Sequence, residues 1–181
     1  MDQRKGLNEI SASAEFTFLK ILASLRNIRH SWNEVSNLRW RDNEAEMRGS
    51  EVKEKSFGLI GMGRIGNNIT RYLNAFNAKD IKFYDINVEE DDLNIATKSS
   101  LETIFQTSDV VVLCVALNED TKKLITYNLL SKLVEGAHLI NTSRGEIINE
   151  EDLLSILKER LDINFSADVL SGEVENGTIN N

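Results

Sequence analysis

A glycine-rich stretch in the first half of the chain has the residue types and spacing of a phosphate-binding loop. It reads Gly61-Met62-Gly63-Arg64-Ile65-Gly66, it follows a short apolar run, and a helical pattern begins inside it. In such a loop the first glycine allows a tight turn, the second lets the backbone approach a pyrophosphate, and the third lets the helix pack closely on the sheet. The helix N-terminus then offers N–H groups and a positive dipole end to the phosphates.

An acidic residue follows at the position where such a loop needs one. The next apolar run ends in FYD, whose last residue is Asp85. A carboxylate there accepts hydrogen bonds from the ribose hydroxyls of adenosine and repels the extra phosphate of NADP, so we expect NAD as the cofactor. The alternatives are a glycine-rich turn of any α/β protein with Asp85 as a solvated strand end, or an S-adenosylmethionine-binding loop. The full six-residue spacing favours a dinucleotide.

A second stretch, LINTSRGEIINEED, places one arginine where a strand is expected to end. Arg144 lies between a small serine and a flexible glycine. Ligands of open α/β sheets bind outside the carboxyl ends of the strands, so Arg144 has the setting of a binding residue. The plain alternative is a surface arginine that pairs with Glu146 or Glu150. We also predict that Asn149 caps the helix that follows.

The composition excludes several classes of function. The chain has 29 acidic and 21 basic residues, a formal net charge of −8, which argues against a nucleic-acid partner. No stretch approaches the roughly 18 apolar residues of a membrane span, and no signal peptide is apparent, so we expect a cytoplasmic protein. The single cysteine, Cys114, lies in VVVLCVAL and is expected to be buried and inert. We predict no metal site.

The elements that must position these residues alternate along the chain. Apolar residues at three- and four-residue steps predict a helix over residues 11–30, capped by Ser11 or Ser13, and residues 31–55 are expected to form an irregular arm anchored by Trp32 and Trp40. Strands are expected at 56–60, 81–84, 110–115, 137–140 and 163–167, with helices at 64–76, 101–106, 127–133 and 150–160. This alternation predicts the α/β class: a Rossmann-type, doubly wound parallel sheet with helices on both faces.

Several sequence blocks occur in an order that is typical of one enzyme family. They are SAEFTFLKILASLRNI, KEKSFGLIGMGRIG, FYD, SDVVVLCVALNEDTKKLI, GAHLINTSRGEIINEEDL and ADVLSGE. Together they closely resemble the D-isomer-specific 2-hydroxyacid dehydrogenases, the group that includes phosphoglycerate dehydrogenase and D-lactate dehydrogenase.

The resemblance implies a two-domain architecture of which this chain is the central part. Residues 1–55 are expected to supply an N-terminal helix and a dimerisation arm, and residues 56–181 an NAD-binding domain that is incomplete at its C-terminus. The substrate domain is expected to be absent. The resemblance also implies a homodimer formed through residues 11–50.

The resemblance assigns roles to further residues. In the family's motif the arginine that matches Arg144 binds the substrate carboxylate and helps to polarise the keto oxygen; a guanidinium forms two parallel hydrogen bonds with a carboxylate and stays charged. Glu173 matches the glutamate that orients a catalytic histidine, although it lies in an acidic, flexible setting. Asp168 matches the residue that holds the nicotinamide carboxamide. Thr142 and Ala116 match positions that line the nicotinamide and adenosine ends, largely through backbone atoms.

The catalytic histidine of the family has no counterpart in this chain. The chain has two histidines, His30 and His138, and both are expected to be structural. Two functions therefore stay open: an NAD-dependent oxidoreductase that interconverts a 2-hydroxy acid and a 2-keto acid, or a catalytically inactive fragment that binds NAD and dimerises. A nucleotide-sensing Rossmann domain of another class is a weaker third, against which the NTSRG turn and its spacing to DVLSGE argue.

Overall fold

The strands form one parallel sheet, as the sequence predicts. The structure, a computed structural model, describes residues 5–39, 44–89 and 95–172. The strands are β1 (Ser56–Ile60), β2 (Asp80–Tyr84), β3 (Thr97–Lys98), β4 (Val110–Leu113), β5 (His138–Asn141) and β6 (Asn164–Ala167). Their order across the sheet is β3-β2-β1-β4-β5-β6, and all pairings are parallel. This is the doubly wound Rossmann order, so the predicted fold class is confirmed.

Helices connect the strands and cover both faces of the sheet. They are α1 (Lys5–Leu25), α2 (Ile28–Ser36), α3 (Glu44–Met47), α4 (Arg64–Ala75), α5 (Leu101–Thr107), α6 (Tyr127–Leu130) and α7 (Glu150–Glu159). Two single 3₁₀ turns occur at Val52–Glu54 and Gly145–Ile147. None of the helices in the described ranges combines the length and the apolar content that a bilayer-spanning segment needs.

The hydrophobic core has two layers, one on each face of the sheet. On one face, α1 and α4 pack against alternate strand residues that include Phe57, Phe83 and Val112. On the other face, α5, α6 and α7 pack against the intervening residues, such as Val111 and Leu139. All four residues of β4 are buried because this central strand is covered on both sides, which explains its uninterrupted apolar sequence.

The N-terminal region differs from its prediction. The predicted helix over residues 11–30 is two helices, because α1 ends at Leu25 and Asn27 adopts the left-handed conformation (φ 50°) before α2 begins. Ser11 and Ser13 lie inside α1 and cannot cap its start. The prediction of an irregular arm over residues 31–55 is wrong at residues 31–36, which belong to α2 (Ile28–Ser36), and over Glu44–Met47, which is helical. Periodicity alone did not reveal the break, since apolar residues continue at helical spacing across Asn27.

Other elements also differ in detail. Strand β3 was not predicted, because two residues at a sheet edge give no periodic signal. Asn149 occupies the N-cap position of α7, but its side chain makes no capping hydrogen bond, so the predicted cap is wrong. Trp32 does not anchor the arm to this domain, since 72% of it is exposed. Trp40 lies outside the described residues.

Candidate functional site

The glycine loop lies at the carboxyl edge of the sheet, where the chain changes direction between β1 and its neighbours β2 and β4. A cavity of about 290 Å³ opens there. It is lined by Gly61, Gly63, Tyr84, Asp85, Ile86, Asn87, Cys114, Val115, Ala116, Asn118, Asp120, Thr121 and Leu124. The fold thus brings four of the predicted site residues to one cavity: Gly61, Gly63, Asp85 and Ala116. A crevice at this switch point is where doubly wound folds bind dinucleotides.

The three glycines of the loop differ in what a side chain at each position would contact. Gly61 has φ +103°, and a Cβ there would lie 2.9 Å from the backbone of Cys114. A Cβ on Gly66 would lie 2.3 Å from the carbonyl oxygen of Gly61, so the first turn of α4 packs directly on the loop. A Cβ on Gly63 would meet no protein atom within 4 Å. Gly61 and Gly66 are therefore required by the fold, whereas Gly63 leaves open space at the cavity.

Asp85 holds the loop as well as lining the cavity. Its Oδ2 accepts a hydrogen bond from the Met62 N–H at 2.8 Å. Its Oδ1 accepts from the Asn87 and Val88 N–H groups at 2.8 and 3.2 Å. The two carboxylate oxygens have about four acceptor sites, so capacity remains for a ligand donor.

Sequence reasoning missed Asn67, which supports the same loop. Its Nδ2 donates to the carbonyl oxygens of Met62 and Gly63, at 2.9 and 3.2 Å. An amide one turn into a helix that follows a glycine loop was the available signal. Asp85 thus binds the backbone N–H of Met62, and Asn67 binds its carbonyl oxygen.

The start of α4 is open to an anion. Gly63 is the N-cap residue and provides no side-chain cap, and the first turn contains no acidic residue. Arg64 is exposed at the first helical position, and Ile65 packs partly against the core beneath. A 12-residue helix with an uncapped N-terminus beside the cavity is suited to phosphate groups.

The NTSRG turn follows β5 at the same edge of the sheet and is held by side-chain hydrogen bonds. Asn141 accepts from the Ser143 N–H at 3.1 Å and donates to the Arg144 carbonyl at 3.0 Å. The Ser143 hydroxyl donates to the Leu113 carbonyl at the end of β4, at 2.7 Å. Thr142 is half-buried, and its Oγ1 lies 2.6 Å from Oγ1 of Thr17 in α1. The turn is therefore tied both to the sheet and to the helix layer.

The Arg144 side chain is exposed and available. Its Nη1 donates to the Ser143 carbonyl at 2.7 Å. Within the described ranges its guanidinium forms no ion pair, so the alternative pairing with Glu146 or Glu150 is absent there. Glu150 instead accepts a hydrogen bond from the Ser171 N–H.

The segment after β6 packs directly on the arginine turn. A Cβ on Gly145 would lie 2.1 Å from the carbonyl carbon of Leu170, so only glycine permits this contact. Together with the bond from Ser171 to Glu150, this contact holds residues 168–172 beside Arg144. Asp168 is exposed directly after β6. Glu173 lies outside the described residues.

Three other groups are placed as follows. Ala116 is exposed at the cavity, and its carbonyl accepts from the Thr121 hydroxyl at 2.7 Å. Cys114 is half-buried in the cavity wall rather than fully buried, and burial raises the pKa of its thiol to about 12, which keeps it protonated.

His138 is buried at the amino end of β5, the edge opposite Arg144, and its Nδ1 lies 2.7 Å from the Ser24 hydroxyl. Burial, and secondarily the charge of Lys55, lowers the pKa of His138.

His30 lies in a different part of the surface. It lines a broad groove of about 960 Å³ between the α1–α2 junction and β6. Neither histidine lines the cavity at the glycine loop. Neither histidine of the chain therefore occupies the place of a catalytic acid–base beside Arg144.

Comparison with known proteins agrees with this geometry. Residues 18–178 match the family described as D-isomer specific 2-hydroxyacid dehydrogenase, NAD binding domain. The chain is 35% identical over 167 residues to a glyoxylate reductase of Thermofilum pendens, covering 90% of this chain and 49% of that protein. It is 32% identical over 157 residues to a formate dehydrogenase of Neurospora crassa, covering 84% and 42%.

A solved structure shows the same fold. The D-lactate dehydrogenase of Aquifex aeolicus, complexed with NAD and lactic acid, superposes with a TM-score of 0.84 at 29% identity, over 91% of this chain and 49% of that one. The chain spans about half the length of the curated relatives that it matches. The fold, the glycine loop with its acidic partner and the family match lead to one conclusion: the chain belongs to the D-isomer specific 2-hydroxyacid dehydrogenases and comprises their NAD-binding domain.

Proposed function

We propose that this chain binds NAD in the 290 Å³ cavity and serves as the cofactor half of an enzyme that interconverts a 2-hydroxy acid and a 2-keto acid. The observation on which the proposal depends is the glycine loop. Gly61 and Gly66 satisfy steric demands of the fold, but Gly63 satisfies none, and its open side faces no protein atom within 4 Å. Space kept free above an uncapped helix N-terminus is what a pyrophosphate needs.

Asp85 supports NAD over NADP. Its carboxylate is at the cavity wall, where it would accept hydrogen bonds from ribose hydroxyls and repel a 2′-phosphate. Its three bonds from backbone N–H groups hold the negative charge in place. A fixed charge discriminates between ligands better than a mobile one, because it does not turn away from the repelled group.

Calorimetric titration of the polypeptide with NAD and NADP tests this proposal. We expect a Kd for NAD in the micromolar range and much weaker binding of NADP. Asp85→Asn, which keeps an acceptor oxygen but removes the charge, should narrow the difference between the two cofactors. Asp85→Ala should lose binding altogether, because it also releases the Met62 peptide. Absence of binding at millimolar NAD would contradict the proposal.

Arg144 is proposed to bind the carboxylate of the substrate. It is exposed at the same edge of the sheet as the cavity, carries no ion pair within the described ranges, and lies on a turn that three hydrogen bonds hold to the sheet. A guanidinium presented in this way can form two parallel hydrogen bonds to a carboxylate. NAD, when bound, supplies the hydride acceptor; the residues of this chain bind and orient.

The 181-residue polypeptide is proposed to bind NAD without turnover of its own. A general acid–base must reach the proton that it transfers, and neither His30 nor His138 lines the cavity. We expect no oxidation of NADH with glyoxylate, pyruvate or hydroxypyruvate as the 2-keto acid. Robust activity in purified material would show that another residue supplies the proton.

The polypeptide is also proposed to form a homodimer. Ile28, Trp32 and Val35 are exposed at intervals of four and three residues, on one face of α2. Contiguous apolar surface of this kind marks interaction sites in soluble proteins.

A further inference from the structure

We infer that Thr17, in the middle of α1, is a positioning residue that fixes the Thr142 hydroxyl as a hydrogen-bond acceptor for the nicotinamide half of the cofactor. The inference rests on the proposed NAD site and adds a helix residue to it. Thr17 lies in α1 and not in any strand or turn at the carboxyl edge of the sheet. The residue is buried, with 1% of its surface exposed.

The two hydroxyls form a directed chain of hydrogen bonds. Thr17 Oγ1 lies 2.8 Å from the Ser13 carbonyl and 2.6 Å from Thr142 Oγ1. A carbonyl can only accept, and a hydroxyl has a single proton. If both contacts are hydrogen bonds, Thr17 donates to Ser13, and Thr142 must donate to Thr17. The helix thereby determines the direction of the Thr142 proton, and Thr142 is left as an acceptor for any other group.

The topology places this acceptor in the second nucleotide half of the site. In a 3-2-1-4-5-6 sheet each half binds one mononucleotide, and Asp85 at the end of β2 marks the adenosine half. Thr142 follows β5, which is two strands from β1 and so about 10 Å away along the edge. Ser143 is bonded to the end of β4, next to Cys114 of the cavity wall. An acceptor there suits a donor such as the amide of a carboxamide.

The contact between Thr17 and Thr142 also links α1 to the turn after β5. Asn141 and Ser143 hold the turn on the side of the strands, whereas Thr17 holds it from the helix layer. Threonine has a lower helix propensity than leucine or alanine, and its polar group is buried here. A buried threonine in mid-helix is therefore better explained by its hydrogen bonds than by packing.

The test compares NAD with ADP-ribose, which lacks the nicotinamide, by calorimetry on three forms of the polypeptide. Thr17→Val removes the hydroxyl with little change of shape, and Thr17→Ser keeps it. We expect Thr17→Val to weaken NAD binding by roughly three- to tenfold, the range for one neutral hydrogen bond, and to leave ADP-ribose binding unchanged. Thr17→Ser should bind both ligands like the wild type. Thr107→Val is the matched control and should change neither, because it removes an exposed hydroxyl at the end of α5 that donates to the carbonyl four residues earlier.

Each other outcome decides the question. Equal loss of NAD and ADP-ribose binding in Thr17→Val would assign Thr17 a merely structural role. Unchanged NAD binding in this variant would overturn the inference about Thr17 but not the proposed function. If Thr17→Val does not fold, Thr142→Val provides the same comparison from the other hydroxyl, and unchanged NAD binding there also overturns the inference. If the wild type binds ADP-ribose but NAD no more tightly, the nicotinamide half makes no contribution and the inference fails. If the wild type binds neither ligand, the proposed function itself fails.

Discussion

Gly61 and Gly63 belong to one loop but lack a side chain for different reasons. Gly61 has a left-handed backbone and a Cβ position that is only 2.9 Å from the backbone of Cys114. Gly63 has an ordinary φ of −75° and free space around its Cβ position. The first is a requirement of folding, and the second is a requirement of the proposed ligand.

The two glycines therefore predict opposite effects of the same substitution. Gly61→Ala should lower the free energy of unfolding by at least about 1 kcal/mol, because alanine is strained at this φ and meets backbone atoms. Gly63→Ala should leave stability within about 0.5 kcal/mol but weaken NAD binding by at least about tenfold, because the methyl group occupies the space for the pyrophosphate. Urea unfolding and calorimetry measure the two quantities separately. A Gly63→Ala variant that binds NAD normally would mean that the open space is not the pyrophosphate site.

The site residues that sequence reasoning predicted are those whose spacing along the chain is local. The glycine loop, Asp85 and Arg144 each belong to a short motif next to a predicted strand. Asn67, Thr17 and Gly145 could not be predicted in this way, because their contacts are made by the fold. Asn67 binds a loop carbonyl, Thr17 binds a hydroxyl 125 residues away, and Gly145 packs on the backbone of Leu170. Their environment exists only in three dimensions.

At the scale of elements, apolar patterning predicted the strands of the sheet interior well and the N-terminal helices poorly. β1 and β4 are buried throughout, so their composition alone identified them. Near Asn27 the apolar pattern continues, but it serves two surfaces: Leu25 faces the core, whereas Ile28 is exposed on α2. Periodicity cannot distinguish an apolar face that is buried in the domain from one that is exposed on its surface.

The exposed face of α2 predicts self-association. Trp32 is the largest exposed apolar side chain on it, with Val35 beside it one turn later. We expect sedimentation velocity to show a concentration-dependent dimer, and Trp32→Glu to shift it to the monomer by placing a charge in the apolar contact. Leu161→Glu is the matched control, since Leu161 is also largely exposed but lies between α7 and β6. A wild type that stays monomeric at every concentration, or a dimer that survives Trp32→Glu, would assign this face to something else.

At the scale of the whole molecule, two groups of hydrogen-bonded polar residues lie at opposite edges of the sheet. At the carboxyl edge, Asp85 lines the cavity, and Ser143 and Arg144 lie on the turn after β5. At the amino edge, Asp109 accepts hydrogen bonds from the N–H and hydroxyl of Ser56 at 2.7 and 2.6 Å, and His138 meets Ser24. Burial opposes the charge of Asp109, but the bonds from Ser56 outweigh it and lower its pKa. The amino edge is thus a structural cluster, which agrees with the structural role expected of His138.

The burial of His138 makes the stability of the fold depend on pH in a higher range than Asp109 and Asp162 do. The pKa of His138 in the folded state lies below the ordinary value of 6.5, so well above pH 6.5 the residue is neutral in both states and its contribution to stability is complete. As the pH falls below 6.5, the unfolded chain binds a proton that the folded chain does not, and stability falls by at most about 1.4 kcal/mol per pH unit. The contributions of Asp109 and Asp162, whose pKa values are lowered, are lost only below about pH 4. We therefore expect urea unfolding to show a loss of stability between pH 7 and pH 5 that His138→Gln abolishes. His30→Gln, which removes the other histidine, should retain it, and equal slopes in the wild type and His138→Gln would show that the burial of His138 is not its source.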